Sequence, residues 1–407
     1  MKPLTPLTSL LLAAAAAAVL IGLTFAIEPF RSYQLATACA YLCAVAGLTL
    51  LTGAGGQLSL GQAALMAAGA YSYALSANAL AEAGVEGLLL MLTPLGAAVL
   101  GAALLGVIIG CAAGRLHGPY LAGFTLALVV AIPAVTSTFS NILGGDQGLW
   151  ITVEKRPAAL RGTVSNEQWQ AWLAILCAVA VMVVLNNLLR GRFGRQLRAV
   201  RDNDAAASLS GVNVARTKII SFTVSAAAAG LGGGLLAYVT QSASPGAYSL
   251  VLSLYLLMAA VIGGIGSLTG AVWGALIMVF LPYAVNSFTA DLPVSADVAS
   301  RLDGNLAIAV FGTILVLVIL IAPRGIQGLL SAGGRRIRTR FSPGAGPAGT
   351  AATAVVPDPG SESSPQTPSA AAGVAGSAPQ SGTSAEIPPS GTKNPPSETL
   401  STTKGQR

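Results

Sequence analysis

Long apolar runs almost free of charge recur along this chain, each close to the length a helix needs to cross a lipid bilayer. A hydrocarbon core of roughly 30 Å takes about 20 apolar residues at the α-helical rise. Runs of this kind cover residues 9–27, 33–52, 57–80, 88–111, 119–140, 168–189, 217–240, 249–265, 268–289 and 304–322. No water reaches that depth, so backbone amides must pair inside each segment, and helices do this. The expected fold class is all-α: a polytopic membrane protein of about ten transmembrane helices. The weakest segments are 57–80, rich in Gly and polar residues, and 249–265, which is short. Composition agrees, with 54% hydrophobic and 9% charged residues and a mean hydropathy of +0.71. These values lie far from the globular average.

The scarce charge is gathered rather than scattered. Residues 190–218 (RGRFGRQLRAVRDNDAAASLSGVNVARTK) hold seven Lys/Arg and two Asp between two apolar runs. A second basic segment spans Arg324 to Arg340, four spans later, so both lie on one face of the membrane. The opposite loops carry fewer cations and most of the acids, among them Glu82, Glu86, Asp146, Asp291 and Asp303. Lys/Arg accumulate on cytoplasmic loops, so the 190–218 loop and both termini are expected inside. This bias accounts for the basic pI without a nucleic-acid partner. The N-terminal run has the look of a signal peptide, but another span begins within a few residues, and retention as the first helix is expected. The transmembrane domain is expected over 1–340. Residues 341–407, rich in Pro, Ser, Gly, Thr and Ala, offer little to bury and read as a disordered cytoplasmic tail.

Several chemistries are missing. No ionisable residue sits centrally in a span, which argues against a proton-driven antiporter, a pump with its own charge relay or a voltage sensor. The chain has one histidine, His117, in a short turn, and four cysteines (Cys39, Cys43, Cys111, Cys177) without paired metal-ligand spacing. No metal, cofactor or catalytic residue is expected, and the chain does not read as an enzyme. No phosphate-binding GxxxxGK[ST] motif is present, so energy for uphill movement would enter from another polypeptide.

Two features remain. The segment Asp202–Leu209 can form a short helix inside the charged loop, with Asp202 or Asp204 near its start and Gly211 as a stop. Such a helix suits a rigid knob docking into a soluble partner, whereas basic charge alone would suit anionic lipid. The spans also carry neutral polar groups among small residues: Gln57, Ser59, Gln62, Asn78, Asn141 and Gln241. These can line a passage for a polar or zwitterionic solute, or pair helices together. Residues 55–60 and 263–268 share the spacing G-G-x-x-S-L, a faint internal echo that includes Gly263, Gly264 and Ser267. Transporter sites often lie where such repeats meet. The segment 143–149 (LGGDQGL) reads as a turn with Gly-dependent geometry on the outer side.

From about Tyr41 to Leu330 these motifs together resemble the LivM-like permease subunit of branched-chain amino-acid ABC importers. The resemblance rests on GLTLLTGAGGQLSLGQAALMAAGAY (47–71), LGGDQGL (143–149), GRFGRQLRAVRDNDAAASLSGVNVARTKIISFTVSAAAAGLGGGLLAY (191–238), LSLYLLMAAVIGGIGSLTGAVWGAL (252–276) and APRGIQGLL (322–330). It implies a multi-pass bacterial inner-membrane permease working with a second related permease, two cytoplasmic ABC ATPases and an external solute-binding protein. It also implies that the loop couples to the ATPases, through Arg198, Asp202, Asp204, Ala205, Ala206 and Gly211. Ala205 stands where the general ABC pattern has Glu. For the translocation pathway the expected residues are Gln57, Ser59, Gln62, Asn141, Gly263, Gly264 and Ser267. Gln62 replaces a His of many relatives, and Ala54 or Gly55 a bulky residue. Similar permeases also serve urea and short amides, so the cargo stays open between these and apolar amino acids. A self-sufficient secondary transporter is the alternative of a different class.

Overall fold

The computed structural model describes residues 6–116, 118–151, 162, 164–290 and ten residues between 310 and 328. His117, most of the expected span 304–322 and the expected tail 341–407 lie outside the described residues. The helices are α1 (Pro6–Leu23), α2 (Pro29–Leu48), α3 (Gln62–Glu82), α4 (Leu88–Ala113), α5 (Pro119–Thr138), α6 (Ser140–Leu143) and α7 (Asn166–Arg190). They continue as α8 (Arg192–Asp202), α9 (Asp204–Leu209), α10 (Val214–Thr240), α11 (Leu250–Gly263) and α12 (Leu268–Ala290). The one described sheet is a long-range two-residue pairing, β1 (Leu149–Trp150) antiparallel to β2 (Ser242–Ala243), with Leu149 opposite Ala243.

Nine of the ten expected spans thus correspond to helices. Five described helical segments are long and apolar enough to cross a membrane, and Leu11–Leu23, Leu250–Gly263 and Leu268–Ala284 are shorter apolar helices. The helix α3, in the weakest run, carries Gln62, Ser72, Ser76 and Asn78 and falls in neither group. The chain is an all-α polytopic membrane protein.

The helix α10 stands at the centre, packed on α2, α3 and α4. Its GLGGG stretch explains how three helices approach one. Successive residues are turned by about 100°, so neighbouring glycines face different partners. A Cβ on Gly230 or Gly234 would run into Ala98 of α4. On Gly232 it would meet the Ala40 carbonyl of α2, and on Gly233 the Met66 carbonyl of α3. In lipid there is little hydrophobic drive between helices, and such backbone-on-backbone contact supplies dispersion energy instead. Outside this centre, α7 packs on α1 and α2, α11 and α12 pack together and on α2, and α5 stands at the margin with a largely exposed face.

Candidate functional site

The run expected as one helix from residue 57 is broken. After α2 the backbone widens into a π-helical turn, Thr49–Ala54, in which the Gly55 N–H donates to the Leu50 carbonyl at 3.1 Å. Gly56 then takes φ 65°, a left-handed conformation that favours glycine, and the chain runs without helix until α3 starts at Gln62. Single π turns inside helices recur at functional sites because they free carbonyls and redirect side chains.

Four neighbouring helices hold this break. The Leu60 N–H donates to Thr125 Oγ1 of α5 at 3.0 Å, and the Ala63 N–H to Ser253 Oγ of α11 at 3.0 Å. Gln62 Nε2 donates to the Ala44 carbonyl of α2 at 2.8 Å, and Gln57 Nε2 to Ser221 Oγ of α10 at 3.5 Å. Ser59 closes the turn by accepting from the Gly61 N–H at 3.3 Å. Gln57 Oε1, Gln62 Oε1, Thr52 Oγ1 and Ser225 Oγ are buried oxygens with no hydrogen-bond partner among the described residues. Leaving such atoms unpaired costs about 1–3 kcal/mol each. The two amide oxygens can each accept a further hydrogen bond, and the two hydroxyls can donate or accept one.

The second G-G-x-x-S-L segment forms a second break. The helix α11 ends at Gly263, and Gly264 (φ 118°) and Gly266 (φ 97°) carry the chain to Ser267 before α12 begins. Ser267 Oγ accepts from the Gly270 N–H at 3.4 Å, which caps α12. The two breaks meet: Gly53 lies directly against the Gly266 backbone, and Gly325 against Gly264. Gln57, Ser59, Gln62, Gly263, Gly264 and Ser267 therefore belong to two adjoining elements. Asn141 does not join them. It is exposed on α6, beyond the far end of the 20-residue α5, a helix length of about 30 Å from the cleft. Asn78 and Gln241 are also at that end, where Asn78 Nδ2 donates to the Trp150 carbonyl at 2.9 Å. There the 143–149 turn places Gly144, Gly145 and Gly148 all at positive φ.

The charged loop is two helices rather than one. The expected single helix Asp202–Leu209 begins at Asp204, because Asn203 takes the cap and its Oδ1 accepts from the Ala206 N–H at 3.0 Å. The preceding arginines from Arg192 on lie in α8, whose Gly194, Leu197 and Val200 are buried while Arg195 and Arg198 are exposed. The Arg198 guanidinium donates back to the Leu189 carbonyl at 3.3 Å. Gly211 stops α9 with φ 80° and open space around it, and the Val212 N–H returns to the Ala207 carbonyl at 3.0 Å. On α9, Ala205 and Ala206 are exposed and Ala207 is buried. Leu209 is 90% exposed, an apolar tip that sequence reasoning passed over.

Two contacts join this loop to the interior, and neither was read from the sequence. Arg201 Nη1 donates to the Gly53 carbonyl at 2.9 Å, and its aliphatic stem occupies the place a side chain at Gly56 would need. Lys218, in the second turn of α10, pairs with Asp204 of α9, Nζ to Oδ2 at 2.6 Å. Its side chain is only 9% exposed. One turn further along α10, Ser221 donates to the Lys218 carbonyl at 2.8 Å and accepts from Gln57. A polar stripe of Lys218, Ser221 and Ser225, spaced for one helix face, thus leads from α9 toward the first break. Between them opens a cleft of about 540 Å³, lined by Gln57, Leu58, Leu121, Arg201, Asp202, Asp204, Ala205 and Lys218 among others. The described cysteines are free, and no metal-binding cluster occurs among the described residues.

The family described as branched-chain amino acid transport system, permease component, matches residues 30–322. The high-affinity branched-chain amino acid transport permease LivM of Salmonella typhimurium is 27% identical over 307 residues, covering 70% of this chain and 67% of the relative. The probable LivH permease of Methanocaldococcus jannaschii is 25% identical over 210 residues, covering 50% of this chain and 61% of that protein. The L-arabinose transport permease AraH of Escherichia coli is 35% identical over 121 residues, 28% of this chain and 36% of the relative. No solved structure matches. With both breaks and the α8–α9 loop inside the matched region, the chain belongs to the family of branched-chain amino acid transport system permease components.

Proposed function

We propose that this chain is a translocation subunit of an ATP-driven importer for branched-chain or other apolar amino acids. It sits in the bacterial inner membrane with α8, α9 and both termini in the cytoplasm. ATP is hydrolysed on two separate cytoplasmic subunits, a second related permease completes the pathway, and an external binding protein delivers the solute. The observation that carries the reading is the double tether of the α8–α9 loop to the first helix break, by Arg201 to Gly53 and by Asp204 to Lys218.

In this mechanism α9 is the docking element, with Ala205, Ala206 and Leu209 presented to the ATPase and Gly211 setting its end. Closure of the ATPases displaces α8 and α9 as a unit. Arg201 transmits that displacement to the Gly53 carbonyl, and Lys218 transmits it along α10 to Ser221 and Gln57. The break then changes between two packings and opens the pathway to one side at a time, coupling through a two-state element. Gln57, Ser59 and Gln62, with Gly263, Gly264 and Ser267 beside them, form the inner end of the pathway.

The test is uptake into proteoliposomes by this chain assembled with its partner permease, ATPases and binding protein. Leucine uptake that requires ATP and every subunit is the expected result. Assembly with ATP-dependent uptake of urea or an amide would keep the mechanism and change the cargo. Uptake by this chain alone, insensitive to ATP, would overturn the mechanism.

A further inference from the structure

A groove of about 360 Å³ lies on the outside of the bundle, between α1, α7 and the start of α12, where Thr269 shares a hydrogen bond with Ser267 of the second break. Its floor is a single stripe of α7: Val179, Met182, Val183, Asn186 and Arg190. Those positions recur every three or four residues and so share one helix face. The chemistry along the stripe is ordered. Apolar side chains fill the first part, an amide follows, and a guanidinium ends it at the last residue of α7.

From Val179 to Arg190 the helix rises about 16 Å, which is close to half of a roughly 30 Å hydrocarbon core. The stripe therefore runs through one leaflet and reaches the membrane surface at Arg190. Asn186 lies one turn inside it, at the depth where a glycerolipid carries its ester carbonyls. On the opposite wall Ala13 and Ala16 of α1 leave the space that larger side chains would fill. The groove also reaches Thr269 in the first turn of α12, the positive end of that helix dipole.

We infer that this groove binds one anionic phospholipid from the leaflet on the α8–α9 side. Its phosphate is held by Arg190 at the mouth, its ester region by Asn186, and one acyl chain lies along Met182, Val183 and Val179. A zwitterionic lipid fits the apolar part equally well but leaves a cation beside the guanidinium, so the preference is set at Arg190. Diffuse attraction between a basic loop and anionic lipid would act through all of the arginines. The groove makes one of them special.

The test uses the full chain, purified in detergent and stripped of lipid, with dioleoyl phosphatidylglycerol or dioleoyl phosphatidylcholine added in mixed micelles. Native mass spectrometry counts retained lipid. One tightly held phosphatidylglycerol per chain is expected, with retention about tenfold weaker in Arg190→Gln, the loss of one charge-assisted contact. Ala16→Phe fills the groove, keeps the charge and should also abolish tight retention. Arg195→Gln removes a loop charge outside the groove and should leave it intact. Circular dichroism confirms that each variant is folded. Equal losses in Arg190→Gln and Arg195→Gln, undiminished retention in Ala16→Phe, or equally tight phosphatidylcholine would each overturn the proposal.

Discussion

Removing Asp204 and removing Lys218 break the same ion pair, yet the structure assigns them unequal costs. Asp204→Ala leaves the Lys218 ammonium in a position where its side chain is 9% exposed. Breaking a buried pair in this way costs about 3–5 kcal/mol, because an uncompensated charge stays out of water. The neighbouring cleft and the flexible lysine stem give some relief, which places the value at the lower end, about 3 kcal/mol. Lys218→Met instead leaves a carboxylate whose side chain is 38% exposed and which sits at the first position of α9. Water and the helix dipole both stabilise it there, so the cost is on the order of 1 kcal/mol. The double variant should recover part of the Asp204→Ala loss. Thermal unfolding in detergent reads this as a decrease of roughly 6 °C or more for Asp204→Ala and about 2 °C for Lys218→Met. The reasoning is refuted if Lys218→Met is as damaging as Asp204→Ala, or if the double variant is worse than either.

Arg201→Ala removes the guanidinium contact to the Gly53 carbonyl and uncovers Gly56; ATP hydrolysis by the assembled importer should continue while uptake falls several-fold. Arg201→Lys should not restore it, because the guanidinium also donates through Nε and Nη2 to Asp202 Oδ1 at 3.1 Å and an ammonium cannot reproduce that fork; full rescue would show that charge alone suffices. Gly211→Val meets no neighbour but forces a β-branched residue to φ 80°, a strain of about 1–3 kcal/mol, and should weaken ATPase binding in pull-down, whereas Gly211→Asn should retain it. Gly233→Ala drives a methyl into the Met66 carbonyl and should destabilise by about 1–3 kcal/mol in thermal unfolding, while Gly246→Ala, with open space around it, should not.

The spans were legible because length and apolarity are local properties, and lipid forces them into helices. The breaks were not, since glycine and small residues that end a helix also appear within membrane helices for packing. Gln57 and Ser59 were thus read as lying inside a helix that begins only at Gln62. In the loop, Gly194, Leu197 and Val200 at threefold spacing were a readable amphipathic signal for α8, masked by the arginines between them. The pair Asp204–Lys218 depends on α9 folding back onto α10, fourteen residues on, and no local pattern encodes that. Asn141 was grouped with Gln57 and Gln62 on polarity, which does not say which end of a helix a residue occupies; it lies at the opposite end of α5 from the breaks.

The short helix α11 has a consequence for how the protein is made. Its 14 residues rise about 21 Å, well short of a roughly 30 Å core. A 3-10 turn at Pro245–Tyr248 and irregular backbone at 264–267 flank it, and lipid cannot pair the amides these leave open. Protein covers them instead: Tyr248 reaches the Gly233 carbonyl at 3.5 Å, and Gly264 and Gly266 sit against other glycines. Stable insertion of α11 thus rests on α2, which the ribosome has already delivered, and on α12 and Gly325, which it has not. Until α12 is made, the C-terminal end of α11 stays only partly covered.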